Sequence, residues 1–188
     1  MSKLHQSIPP SAWVRRFVPL IRPRGRVLDL AAGGGRHTTL LRERGYQVIA
    51  ADCDTSALAV AFAGDSACTV RAVDLEDGAG WTLGQDYDGI VVANYLHRPL
   101  FPALIAALAP GGILIYETFA AGHERFGKPS SPEFLLQPGE LLAAFGTALS
   151  VIAFEQGAID QPRPAIIQRI AAANAAGPFG LPPPEAAS

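Results

Sequence analysis

The run Arg26-Val27-Leu28-Asp29-Leu30-Ala31-Ala32-Gly33-Gly34-Gly35 limits the fold more than any other stretch of the chain. A short apolar run that ends in alanine and glycine reads as a buried parallel strand entering a turn. Glycine lacks a Cβ and tolerates positive φ, so three in a row let the backbone approach a ligand closely. A helix expected over His37 to Arg44, stopped by Gly45, completes a strand, turn and helix unit.

The same alternation continues. Gln47 to Ala51 reads as a strand that stops at Asp52, and Asp54-Thr55 can cap a helix over Ala57 to Ala63. A third strand is expected over Cys68 to Val73, after which Gly78, Gly80 and Gly84 argue against a helix. Asp88 to Ala93 reads as the fourth strand, Leu100 to Leu108 as a helix stopped by Pro110-Gly111-Gly112, and Gly112 to Thr118 as the fifth strand. Ala120 to Pro138 is irregular, and such long connections are commonly lids or disordered. Beyond it come a helix over Gly139 to Phe145 and two closing strands over Ala148 to Phe154 and Pro164 to Ile170. Upstream, Pro9-Pro10-Ser11 introduces an amphipathic helix at about 10–22, with Trp13, Val14, Phe17, Val18, Leu20 and Ile21 inward and Arg15 and Arg16 outward.

Strands alternating with helices demand a parallel sheet with right-handed crossovers. The expected class is therefore α/β: a Rossmann-like, doubly wound, seven-stranded and mostly parallel sheet, with a C-terminal antiparallel hairpin and helices on both faces. At 188 residues, 49% hydrophobic and 17% charged, the chain suits one core, expected as one domain over 1–174. The Ala, Gly and Pro-rich tail at 175–188 is expected to be disordered.

A net charge of -2 provides no global field for nucleic acid or an anionic membrane. Cys53 and Cys68 lack the CxxC spacing of a zinc site or dithiol, so no metal is expected. Residues 1–7 have no apolar signal core, and no apolar run suits a bilayer, so a cytoplasmic monomer or homodimer is the expectation.

In such sheets ligands bind beyond the carboxyl ends of the strands, where strand order reverses. That rule singles out Asp29, Asp52, Asp74, Asn94 and Glu117. Asp52 follows the glycines at the distance from which a carboxylate accepts two ribose hydroxyls. Asp74 with Leu75 can flank an adenine, its carboxylate taking the exocyclic amine. Taken singly, each acid also fits an ordinary cap or turn.

Together these residues resemble the class I S-adenosylmethionine (SAM)-dependent methyltransferases, whose first motif is D/E-x-G-x-G-x-G. The match holds at Asp29, Gly33 and Gly35, with Ala31 standing where the family's first glycine falls. Alanine suits that place if its φ is negative. The resemblance covers roughly residues 24–119 and implies SAM as cofactor, held by Asp29, Ala31, Gly33, Gly35, Asp52 with Cys53, Asp74 with Leu75, and Asn94. Tyr95 to Pro102 and Gly127 to Phe134 further resemble tellurite-resistance-type methyltransferases of bacteria. The family's Asn-Pro-Pro-Tyr motif for nitrogen acceptors would fall at Asn94, where the chain reads Asn94-Tyr95-Leu96-His97 instead.

A sulfonium is a good leaving group, so the protein mainly aligns an acceptor about 3 Å from the methyl carbon. His97 is the candidate general base, and Tyr95 and Glu117 are candidates to orient the acceptor, which is expected to be a small molecule. The 120–138 stretch, with His123, Glu124, Arg125, Phe126 and Lys128, is a candidate lid. Three other readings remain. NAD binding suits Gly33-x-Gly35-x-x-Thr38 and Asp52, but Thr38 breaks the pattern and Asp29 would sit poorly beside a pyrophosphate. A SAM binder without catalysis shares the fold. An RNA substrate requires Arg15, Arg16, Arg22, Arg24 and Arg26 to converge beside the crevice.

Overall fold

The computed structural model describes residues 9–184. In chain order its elements are α1 (Ala12–Phe17), β1 (Arg26–Leu30), α2 (Arg36–Glu43), β2 (Gln47–Asp52), α3 (Ser56–Ala61), β3 (Cys68–Ala72), β4 (Tyr87–Ala93), α4 (Phe101–Ala107), β5 (Leu108–Phe119), α5 (Glu140–Phe145), β6 (Ser150–Ile159) and β7 (Ala165–Ala173).

The strands form one seven-stranded sheet in the order β3-β2-β1-β4-β5-β7-β6, with β1 to β5 parallel and β7 antiparallel to both β5 and β6. The chain winds outward from β1 to β3, then returns to start β4 on the other side of β1. The reversal of strand order therefore lies between β1 and β4, and the crevice opens above their carboxyl ends.

Alternation along each strand divides the core in two. On one face Leu28, Leu30, Ile90, Val92, Leu114 and Tyr116 pack with Leu104 of α4 and with Leu141 and Phe145 of α5. On the other, Val27, Val48, Val91, Ile113 and Ile115 pack with Trp13, Val14 and Phe17 of α1 and with Leu40 and Leu41 of α2. Full burial of each such side chain is worth about 1.5–3 kcal/mol.

Several boundaries differ from expectation. The Ser11 hydroxyl caps α1, accepting from Trp13 N at 3.1 Å, but the helix ends at Phe17 rather than near residue 22. Pro19 has no N–H with which to continue the ladder, and the chain tightens into a 3₁₀ turn at Val18–Leu20. β5 begins at Leu108 rather than at Gly112, and its register against β4 shifts between Tyr87 and Gly89. A Cβ on Gly112 would lie 2.6 Å from the Tyr87 carbonyl oxygen, so this crossing requires glycine.

The 120–138 stretch, read as irregular, has local structure of its own. It carries 3₁₀ turns at His123–Arg125 and Pro132–Phe134, and Ala120 bridges Leu136, with both residues buried. The tail also differs from expectation as far as it is described. It has no helix or strand, yet Phe179 packs against the α1 side of the core, and Arg16 Nε donates to the Pro182 carbonyl at 2.9 Å. Residues 1–8 and 185–188, which the expected domain and tail also included, lie outside the described residues.

Candidate functional site

The crevice is founded on the turn between β1 and α2. Ala31, Gly33 and Gly35 all adopt positive φ, at 54°, 53° and 82°. The condition under which alanine would suit the first place, a negative φ, is not met: the turn puts Ala31 in the left-handed region, which explains why glycine suits the position. No atom lies within 4 Å of a Cβ built on Gly33 or Gly34, so their backbone is open to a ligand, whereas a Cβ on Gly35 would meet Leu58 and Phe62 at 2.9 Å.

Asp29 lies beneath the turn, 1% exposed. Its Oδ2 accepts the Thr38 hydroxyl at 2.6 Å. Burial pushes the Asp29 carboxyl up to about 6, while the Thr38 hydroxyl and the charge of Arg36 pull it back. Thr38, the residue that interrupts the dinucleotide pattern, therefore clamps the acid that argues against a pyrophosphate.

At the end of β2, Asp52 Oδ2 accepts Gly33 N–H at 2.8 Å and Oδ1 accepts Asp54 N–H at 3.0 Å. Oδ2 therefore keeps a second acceptor site. Cys53 is exposed beside it, its thiol 3.5 Å from Asp52 Oδ1, and that carboxylate pushes the thiol up from its ordinary range. Asp74 is exposed beyond β3 and accepts Glu76 N–H at 2.9 Å, with Leu75 partly buried against the core.

Across the crevice, Asn94 has φ 59° just beyond β4, and its N–H donates to the Glu117 carbonyl at 2.9 Å. The Tyr95 hydroxyl donates to Glu76 Oε1 at 3.2 Å, joining the β4 side to the β3 side. Burial and then the Glu76 charge push this hydroxyl well above its ordinary range, and Asp74 and Cys53 add to the shift. Tyr95 therefore stays protonated near neutrality. Half-buried His97 opens the 3₁₀ turn Arg98–Leu100 without a side-chain hydrogen bond among the described residues. Glu117 is 9% exposed and pairs with Arg169 at 3.3 Å.

Asp29, the turn, Asp52, Asp74, Tyr95 and Asn94 are thus brought to one edge of the sheet. Glu117 shares that edge but is tied to Arg169. Arg22, Arg24 and Arg26 lie elsewhere: with Gln47, Ser66, Thr69 and Asp88 they line a groove of about 400 Å³ at the amino ends of β1 to β3. They do not converge on the crevice as an RNA substrate would require.

Sequence reasoning missed Arg36 and the tying roles of Arg98 and His123 at this edge. Arg36, half-buried at the start of α2, donates to the Pro9 carbonyl at 3.1 Å. Arg98 pairs with Glu140 at 2.6 Å and also donates to the Glu133 and Leu135 carbonyls, so it ties the 120–138 stretch to α5. Buried His123 stacks on Phe119 with centroids 4.1 Å apart and accepts Ile166 N–H at Nδ1, so it holds the stretch in place. For Arg36 the signal was adjacency to the glycines; Arg98 and His123 lay in stretches the sequence singled out, but their tying roles had no signal, because their partners are distant in sequence.

Over residues 5–146 the chain matches the family model of a methyltransferase domain. It belongs to that methyltransferase family. TehB from Haemophilus influenzae superposes with a TM-score of 0.72 at 17% identity, covering 92% of this chain and 65% of its own. A SAM-dependent methyltransferase from Mesorhizobium loti superposes at 0.65 and 19% identity, covering 87% of this chain and 98% of its own. A trans-aconitate 2-methyltransferase from Delftia acidovorans is 34% identical over 113 residues, which span 56% of this chain and 41% of that relative. The matched stretch is thus less than half of the curated relative's length. These likenesses agree with the methyltransferase sheet, whose crevice carries the positive-φ turn and the strand-end acids. Among the described residues no group of His, Cys, Asp and Glu is placed to hold a metal, and no helix is long and apolar enough to cross a membrane.

Proposed function

We propose that the chain transfers a methyl group from SAM to a small-molecule acceptor. The observation that carries this reading is the open backbone of the turn facing Asp52, whose Oδ2 keeps a free acceptor site beside Gly33 N–H and whose Oδ1 takes only the weak Cys53 thiol besides Asp54 N–H. In it, Asp52 receives the two ribose hydroxyls, Asp74 receives the adenine amine, and Leu75 and Tyr95 cover the ring. Cys53 and Asn94 line the same crevice, and Asp29 beneath the turn offers negative charge on the side of the amino group. SAM supplies, when bound, an electrophilic methyl carbon on a sulfonium.

The chain's own contribution is then orientation, exclusion of water and removal of a proton. His97 has no competing side-chain bond, so its imidazole is the group assigned to take a proton from the acceptor. Tyr95, kept protonated with its hydroxyl donated to Glu76, does not act as base. Glu117, held by Arg169, orients the acceptor and does not act as base. The name of the curated relative suggests small organic acids as the first acceptors to try.

Calorimetric titration with SAM, S-adenosylhomocysteine and NAD tests the cofactor, and release of S-adenosylhomocysteine over a panel of acids, thiols and metalloid anions tests the chemistry. SAM is expected to bind and NAD not to. Preferential NAD binding overturns the reading, and tight SAM binding without turnover on any acceptor makes the chain a binder only.

A further inference from the structure

The groove at the amino ends of β1 to β3 lies at the opposite end of the sheet from the crevice. At about 3.3 Å per residue, roughly 13 Å of β1 separates Arg26 from Leu30. The groove's volume of about 400 Å³ falls in the range of small-molecule sites, and three guanidiniums line it against a single carboxylate.

The fold holds these charges in place. Asp88 Oδ2 accepts Arg26 N–H at 2.7 Å and Arg22 Nη2 at 3.0 Å, so the one acid of the lining anchors the start of β1 and one of the arginines. The Arg26 guanidinium lies over the Tyr87 ring, 4.4 Å from its centroid, and donates to the Gln85 carbonyl. Arg24 is presented by a tight turn: Gly25 N–H donates to the Arg22 carbonyl at 2.9 Å, with Pro23 and Arg24 between them and φ 60° at Arg24. That is the geometry of a type II turn, whose third residue is normally glycine. Arginine strains the backbone there, yet its exposed side chain makes no ion pair or hydrogen bond among the described residues. The side chains of Gln47, Ser66 and Thr69, which line the same groove, likewise bond to no other described residue. Donors therefore outnumber acceptors: Arg22 and Arg24 keep free N–H groups beside two hydroxyls and an amide.

Three arginines less one aspartate leave an excess of two positive charges. A phosphomonoester carries about −1.5 to −2 near neutrality on three acceptor oxygens, whereas a carboxylate brings one charge and two oxygens. A nucleic-acid strand needs a basic track longer than one groove, and two other arginines are already engaged, Arg42 by Asp65 and Arg16 by Glu155 and the Pro182 carbonyl.

We infer that this groove binds a small phosphomonoester, gripped by Arg22 and Arg24 with the hydroxyls of Ser66 and Thr69, at a site separate from the methyl-transfer crevice. The inference does not depend on which cofactor the crevice takes.

Calorimetric titration of the full chain with phenyl phosphate, glycerol phosphate and uridine monophosphate tests it, with benzoate, uridine, inorganic phosphate and oligouridylate as comparisons. At least one phosphomonoester is expected to bind about tenfold or more tighter than benzoate, uridine or inorganic phosphate. Arg24→Gly is expected to weaken that ligand about tenfold to hundredfold, the loss of one charge-assisted contact, with Arg24→Lys retaining part of it. Glycine suits the turn, so the melting temperature of Arg24→Gly should hold or rise, an outcome that an arginine needed only for folding would not allow. The SAM Kd should change by less than about twofold, because the two sites lie at opposite ends of the sheet. The inference is overturned if none of the three esters binds, if benzoate or inorganic phosphate binds as tightly, or if Arg24→Gly binds the ester as the native chain does. Tighter, steeply salt-dependent binding of oligouridylate also overturns it, making the groove a nucleic-acid surface instead.

Discussion

The two halves of the carboxyl edge are built by different means. Along β1 to β3 the edge is acidic, and Asp29, Asp52 and Asp74 are held by partners within 19 residues: the Thr38 hydroxyl, the Gly33 N–H and the Glu76 N–H. Along β4 to β7 it is cationic, and its arginines are tied over long separations, Arg98 to Glu140 across 42 residues and Arg169 to Glu117 across 52. The first half is a product of strand ends and turns. The second exists only once the whole sheet has closed. Damage to the acidic half should therefore appear first as lost ligand affinity, and damage to the cationic half as lost stability or lost acceptor selectivity.

Asp52→Ala tests the acidic half most severely. It removes both proposed ribose bonds and the acceptor that fixes Gly33, so SAM affinity should fall about hundredfold, the sum of two modest hydrogen bonds. Calorimetry on the variant reads this directly, and a loss under about threefold would remove Asp52 from the cofactor site. Its melting temperature should fall only slightly, because the Gly33 and Asp54 N–H groups that lose their acceptor lie where water can replace it.

Arg98→Ala should show the opposite pattern. It breaks the pair with Glu140 and leaves the Glu133 and Leu135 carbonyls without their donor. The pair is partly exposed, so solvent screening reduces its value; about 2 kcal/mol is expected for the set, or about 4–8 °C in Tm for a chain of this size. SAM affinity should hold. If the cofactor is lost instead, the two halves are not separable.

This contrast also explains what could be read from the sequence. The strands, the turn and the three acids were legible because periodicity and strand-end position are local properties, and Asp29, Asp52 and Asp74 fall where a strand stops. The φ of Ala31 stayed open because one letter does not reveal it. The early end of α1 was marked by Pro19, whose missing N–H stops the ladder. The order in the 120–138 stretch was hidden because it depends on Arg98, His123 and Leu136 meeting partners on other elements.

Acid titration probes the boundary between α1 and the turn, where two buried groups act in opposite senses. His37, 4% exposed, accepts Ser11 N–H at 3.1 Å, and burial followed by Arg36 pushes it down to about 3. The unfolded chain therefore takes up a proton that the folded chain refuses, and stability falls as pH drops from about 6.5 towards 3. Asp29, raised to about 6, does the reverse: the folded chain protonates first, so stability rises as pH falls from about 6 to 3.8. Each slope is at most about 1.4 kcal/mol per pH unit, so they nearly cancel between pH 6 and 4. Denaturant midpoints should be almost level there in the native chain, fall steeply with acid in Asp29→Asn and rise with acid in His37→Gln. Parallel profiles for all three proteins would show that neither group is buried as described.

The smallest effect belongs to Ala31. At φ 54° an L-residue costs about 1–2 kcal/mol relative to the right-handed region, and glycine removes that cost. Glycine also adds freedom to the unfolded chain, worth about 0.4–1 kcal/mol against folding. Ala31→Gly should therefore gain about 0.5–1 kcal/mol, a rise of roughly 1–4 °C in Tm, with SAM affinity unchanged because the turn already has its bound shape. A fall in Tm would mean that the alanine methyl, half-buried at the mouth of the crevice, stabilises the turn by contacts that outweigh its backbone strain. In that case the acidic half would also depend on packing, and the contrast between the two halves would narrow.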